Sequence, residues 1–164
     1  NRWLLKDPSH IGHIKEIISI YPNARFINIH RSPIKSIASF CSLTKNIRSA
    51  FTRNIDNAEI GKTVIDFWQN NLNKGLNQRK LLGQNQIVDI NYSEFIKNPL
   101  DIIKDTYSVL GFDIDIETEN KMEQYLIKQN QMKKEKHSYS LEEFNLSPEI
   151  VNDYFNDYMI GHGF

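Results

Sequence analysis

The chain has 164 residues, 40% hydrophobic and 24% charged, with 20 basic and 20 acidic side chains. That length and balance describe one globular domain able to bury a core without disulfide staples, and the single cysteine, Cys41, has no intrachain partner. A formal charge of zero argues against a broad nucleic-acid face, and no apolar run approaches the ~18 residues of a membrane span.

The chain opens at Asn1-Arg2-Trp3, with neither an initiator Met nor a leader. It is therefore expected to be processed or to be part of a longer protein, and its compartment stays unassigned, the cytoplasm being the default. Arg2 to Lys6 is apolar enough for a short buried strand. Pro8-Ser9 then opens a helix with Ile11, Ile14, Ile17 and Ile18 on one face and Ser9 as N-cap. Tyr21-Pro22-Asn23 stops it. Ala24 to His30 (ARFINIH) alternates and reads as a strand. Pro33 takes a first-turn helix position, and Ile34, Ile37, Ala38 and Cys41 continue along one face.

A long helical stretch runs from Asn57 to Leu82, with Ile60, Val64, Phe67, Trp68 and Leu72 in register as core. Gly83-Gln84-Asn85 breaks it before a strand from Gln86 to Tyr92 (QIVDINY). Pro99 to Leu110 is a helix closed by Gly111 at C′. Glu117 to Gln131 is helical and polar, and a capped helix runs from Ser147-Pro148 to Tyr158, its Tyr154, Phe155 and Tyr158 docking on the body. Strand, helix, strand, helix with tight connections predicts an α/β fold, a three-layer parallel sheet flanked by helices. No repeat or linker interrupts it, so residues 1–164 are expected to form a single domain.

Ligands of open parallel sheets bind outside the carboxyl ends of the strands. Two polar clusters fall there: Lys6-Asp7-Pro8-Ser9-His10, and His30-Arg31-Ser32-Pro33. Each feeds a helix N-terminus, where backbone N–H groups and the dipole favour an anion. Arg31 adds a forked donor suited to phosphate, and Lys outnumbers Arg fourteen to six, which makes each Arg more informative. Ser36 and Ser39 follow on the same helix. The alternative is an Arg31 paired with a surface carboxylate and serines facing solvent. His10 and His13 have the spacing of a metal pair but lack an evident third ligand. Gly61-Lys62-Thr63 is a decoy for a phosphate loop, because Walker A needs a Gly five residues earlier and position 56 is Asp.

Arg31-x-Pro33 followed by Ser39 resembles the 3′-phosphate-binding motif of sulfotransferases that use 3′-phosphoadenylyl sulfate (PAPS). Lys6-x-Pro8-x-His10, the run from Tyr21 to Phe26, Cys41-Ser42-Leu43, Gly61 to Trp68, Val88 to Tyr92 with Asn98-Pro99, Leu110-Gly111 and His137 to Phe144 follow in that family's order. The likeness covers nearly the whole chain. It implies a P-loop NTPase-like fold, transfer of a sulfuryl group from PAPS to a hydroxyl or amine, PAP (3′,5′-ADP) as product, and no metal. Arg31 and Ser39 would hold the 3′-phosphate, with Lys136 and His137 in a late cofactor loop. His10 would be the base and Lys6 the cation at the leaving oxygen; some members place this pair as Lys-x-His.

The family's 5′-phosphosulfate loop, a Gly- and Ser/Thr-rich turn, does not occur in this sequence, so an N-terminal portion is expected to be missing. Two other readings are a non-catalytic sulfotransferase-like binding module and a nucleotide kinase or GTPase, the latter lacking a visible Walker A. The partner is expected to be a small-molecule or glycan acceptor, with no nucleic acid. The acceptor's identity and the oligomeric state are not written in the residues.

Overall fold

The computed structural model describes residues 3–131 and 139–164. They pack as two compact units. The first comprises the described residues up to Pro22, Arg31–Leu81 and Tyr139–Phe164; the second comprises Asn23–His30 and the described residues from Leu82 to 131.

The first unit is helical. A 3-10 turn, Pro8–His13, runs into α1 (Ile14–Ile20). Its cap is Asp7, whose carboxylate accepts from the Ser9 backbone N–H at 2.7 Å. The cap expected at Ser9 thus moves two residues back, because the acid lies immediately before Pro8 at the first position of the turn. α2 (Pro33–Ser49) starts at Ser32 with Pro33 in its first turn. α3 (Asn57–Gln78) is capped by Asp56, which accepts from Ala58 and Glu59, and it continues into a 3-10 turn at Arg79–Leu81.

The core of this unit is built where helix faces of period 3.6 meet. Ile37, Ala38 and Cys41 of α2 pack with Ile60, Val64 and Ile65 of α3. A 3-10 turn at Glu142–Phe144 and the last helix add Leu141, Phe144, Leu146, Val151 and Phe155 to the same cluster. The turn Pro8–His13 lies directly on α3: a Cβ on Gly12 would stand 2.1 Å from Asn71 Oδ1, and one on Gly75 2.7 Å from the Ile11 carbonyl. Only glycines permit that approach.

The second unit holds β1 (Phe26–His30) and β2 (Ile87–Asn91), paired in parallel with Phe26 opposite Ile87 and His30 opposite Asn91. α4 (Tyr92–Phe95) leaves β2 directly, α5 (Pro99–Val109) packs against β2, and α6 (Ile116–Gln131) packs on α5. Gly111 closes α5 at φ +73°, with its N–H on the Ser108 carbonyl and that of Phe112 on Tyr107. The chain is therefore α/β with a parallel sheet, as the alternation of strands and helices predicts.

The expected strand at Arg2–Lys6 does not form over its described residues. Trp3, Leu4 and Leu5 are 90%, 91% and 66% exposed. An apolar run becomes a strand only by pairing with a neighbour, and among the described residues β1 and β2 pair only with each other. The final helix, α7 (Pro148–His162), runs four residues past Tyr158, with Ser147 as its cap. It docks on α2 and α3 as expected, burying Phe155, while Gln69 Nε2 donates to the Tyr154 carbonyl at 3.1 Å. No helix among the described residues is long and apolar enough to cross a membrane.

Candidate functional site

Within the first unit an open cleft of about 660 Å³ is bounded by three stretches of chain. Lys6, Asp7, Pro8 and Ser9 form one side. Arg31 and the α2 residues Ser36, Ser39, Phe40, Leu43 and Thr44 form the second, and Thr63, Val64, Phe67 and Trp68 of α3 the third. The α2 residues recur at spacings of 3, 4, 7 and 8, one face of a helix. The opposite face carries Ile37, Ala38 and Cys41 into the core, so α2 is two-sided and its packing holds Ser36 and Ser39 in place.

The cleft's lining mixes two cations, Lys6 and Arg31, and one carboxylate, Asp7, with hydroxyls and aromatic rings. The Ser9 hydroxyl and then its backbone N–H hold the Asp7 carboxyl below its usual range, with smaller contributions from the charges of His10 and Lys6 and a slight opposition from desolvation. Asp7 is therefore ionised at neutral pH and already engaged by Ser9. Lys6, Arg31 and the hydroxyls of Ser36 and Ser39 line the same cleft, a donor set that fits a phosphate or sulfate. Among the lining residues the Phe40 and Trp68 rings lie 4.5 Å apart, and Phe67 meets Trp68 edge-on at 5.2 Å.

Of the residues singled out in the sequence, Lys6, Arg31 and Ser39 share this cleft. His10 does not line it; it is half-buried on the turn behind Asp7, its N–H on the Asp7 carbonyl at 3.2 Å. Lys136 and His137 lie outside the described residues. His13 is half-exposed and faces Glu16 at 4.0 Å, and among the described residues no three potential ligands cluster as a metal site. His30 is buried and bonds Asp89 across the sheet at 2.7 Å, with Asn28 at 3.2 Å. Cys41 is fully buried and burial pushes its thiol up to about 11, so it is a poor nucleophile.

Gly61-Lys62-Thr63 lies inside α3, where Gly61 admits the Phe144 carbonyl against the helix. That is a packing contact and not a phosphate loop. Thr63 nevertheless reaches the cleft. Phe67 and Trp68, expected as core, also line it: Trp68 does both, and Phe67 is 47% exposed. Extending the Ser36–Ser39 spacing by one helical turn to Leu43 and Thr44 is the signal that would have found this wall. A second cavity of about 370 Å³, beside Asp56, Glu59, Lys62 and Phe144, gathers no comparable donor set.

Together these features define an α/β protein with a parallel sheet and, in its helical unit, a cleft lined by Lys6, Arg31, Ser36 and Ser39. The chain belongs to the sulfotransferase family, whose model matches residues 1–116. It is similar to the crystal structure of sulfotransferase STF9 from Mycobacterium avium, at 28% identity and a TM-score of 0.87, over 98% of this chain and 42% of that one. It is likewise similar to sulfotransferase STF1 from Mycobacterium tuberculosis H37Rv, at 27% identity and a TM-score of 0.81, over 96% and 40%. The chain thus spans about two-fifths of the length of these solved proteins. No curated protein matches it significantly.

Proposed function

We propose that residues 1–164 are one domain of a PAPS-dependent sulfotransferase, carrying the 3′-phosphate site and the acceptor-side groups. The observation that carries this reading is that Lys6, 25 residues earlier in the chain, lines one cleft with Arg31 and Ser39. When bound, PAPS supplies a sulfuryl group whose S–O bond to the 5′-phosphate breaks as a bond to the acceptor oxygen forms, releasing 3′,5′-ADP and the acceptor's proton. Positioning and charge stabilisation are then the protein's main tasks.

Arg31 and Ser39 would grip the 3′-phosphate from two sides, a fork donor and a helix hydroxyl. Lys6 offers a positive charge for the leaving oxygen. His10, one residue beyond Ser9, is the group proposed to take the acceptor's proton, its imidazole nitrogen being the proton acceptor. Its place behind Asp7 requires its ring to turn toward the cleft when ligand binds.

Thermal stabilisation tests the donor half. A ligand that binds the folded state raises the midpoint, so 3′,5′-ADP should stabilise the chain and 5′-AMP should not. Arg31→Ala should weaken 3′,5′-ADP roughly ten- to a hundred-fold, the worth of a hydrogen bond to a charged group. Equal stabilisation by both nucleotides would exclude 3′-phosphate recognition.

A further inference from the structure

Resting on the donor reading above, we propose that Ser36 is a further ligand of the 3′-phosphate beside Arg31 and Ser39, and so a determinant of the preference for 3′-phosphorylated nucleotides. Ser36 stands between Arg31 and Ser39 in sequence, and all three line the same cleft. Residues at i and i+3 of a helix are neighbours, with about 5–6 Å between their Cβ atoms. Two hydroxyls at that separation can reach different oxygens of one phosphate.

The state of the hydroxyls separates these serines from others in the fold. A helical Ser or Thr can spend its hydroxyl on a carbonyl of the preceding turn. Ser49, on the same helix, donates to the Asn46 carbonyl at 2.7 Å. Ser19 donates likewise to Glu16 at 2.7 Å and Thr106 to Ile102 at 2.6 Å. Ser36 and Ser39 are half-buried, yet among the described residues neither hydroxyl has a hydrogen-bond partner. Each keeps its proton for water or a ligand.

A terminal phosphate offers three oxygens. The Arg31 fork can serve two of them, and the two serine hydroxyls supply donors for the rest. Thr44 and Thr63 also bring hydroxyls to the cleft. Thr44 lies eight residues beyond Ser36, about 12 Å along the helix axis, too far to share one phosphate with both serines.

Calorimetric titration of 3′,5′-ADP, its 2′-deoxy analogue and 5′-AMP into the wild type, Ser36→Ala and Ser42→Ala tests the proposal. Ser42 is on α2 but does not line the cleft. Ala is a better helix former than Ser, so Ser36→Ala should not unfold α2. It should bind 3′,5′-ADP about tenfold more weakly, the worth of a hydrogen bond to a charged group. The 2′-deoxy analogue should weaken by the same factor, 5′-AMP should be unaffected, and Ser42→Ala should match the wild type.

Unchanged 3′,5′-ADP affinity in Ser36→Ala, with the wild type still preferring 3′,5′-ADP to 5′-AMP, would overturn the proposal and leave the donor reading standing. An equal loss for 5′-AMP, or an equal loss in Ser42→Ala, would also overturn it. So would a loss that the 2′-deoxy analogue does not share, which would give Ser36 to the ribose 2′-hydroxyl. A wild type without preference for 3′,5′-ADP would remove the donor reading and this proposal with it.

Discussion

The cleft-bearing unit buries Cys41, Ile60, Ile65, Phe144 and Val151 almost completely, whereas the unit around β1 and β2 buries Ile90 and Leu110 but leaves Ile27 and Ile29 about half exposed. Its best-enclosed polar groups are His30, bonded to Asp89, and Thr106, whose hydroxyl donates to the Ile102 carbonyl at 2.6 Å. The contrast teaches where each unit's order comes from. In the first, helix faces meet over a continuous core and the cleft is what remains on the far side of those helices. In the second, strand pairing and local polar bonds supply most of the definition. Cleft-lining side chains of the first unit should therefore be replaceable without loss of the fold, while its core positions should not.

The largest expected effect is in that core. Phe144→Ala should cost about 3–5 kcal/mol, the usual range for truncating a buried aromatic, read by urea unfolding. Cys41 supplies a local check. With its thiol pushed up to about 11, it should resist disulfide reagents at pH 8 in the native chain and be labelled much faster in Phe144→Ala. Equal labelling rates would mean that this core is not what encloses Cys41.

Gly12→Ala comes next. Its new Cβ would collide with Asn71 Oδ1, whose side chain is buried and donates from Nδ2 to the Phe67 carbonyl at 2.9 Å. Lifting the turn Pro8–His13 off α3 should cost about 2 kcal/mol and displace Lys6, so both the unfolding midpoint and 3′,5′-ADP affinity should fall. A stable Gly12→Ala protein with unchanged affinity would uncouple the turn from the cleft.

His30→Ala should have the smallest effect, about 1 kcal/mol, because Asp89 is a third exposed and water can replace the lost partner. Amide hydrogen exchange should show faster exchange at β1 and β2 while α2 and α3 keep their protection. Loss of protection in α2 or α3 would break the contrast between the units.

The elements that bury one clear face were readable from the residues alone. ARFINIH and QIVDINY alternate, and Ile37, Cys41, Ile60 and Val64 recur at helical spacing, so local pattern and global packing agree there. Trp3-Leu4-Leu5 was misleading because a strand depends on a partner that composition cannot reveal. Asp7 and Ser9 are both good caps, and only geometry chooses between them. Periodicity marks Phe67 and Trp68 as part of an apolar stripe without saying what covers it; Trp68 packs against the core while also lining the cleft, and Phe67 stays half-exposed. Arg31 and Ser39, a fork donor and a hydroxyl eight residues apart, line one cleft, and that much follows from their spacing across the start of one helix. The Lys136–His137 expectation lies outside the described residues.

The central claim is that Arg31 and Ser39 jointly hold a 3′-phosphate. Calorimetric titration of 3′,5′-ADP and 5′-AMP into the wild type, Arg31→Ala, Ser39→Ala and the double variant tests it most directly. The account predicts that 3′,5′-ADP binds more tightly than 5′-AMP, and that the double variant loses less than the sum of the single losses, since both groups grip one phosphate. Equal affinity for the two nucleotides in the wild type, or losses in the single variants that fall equally on 5′-AMP, would contradict it.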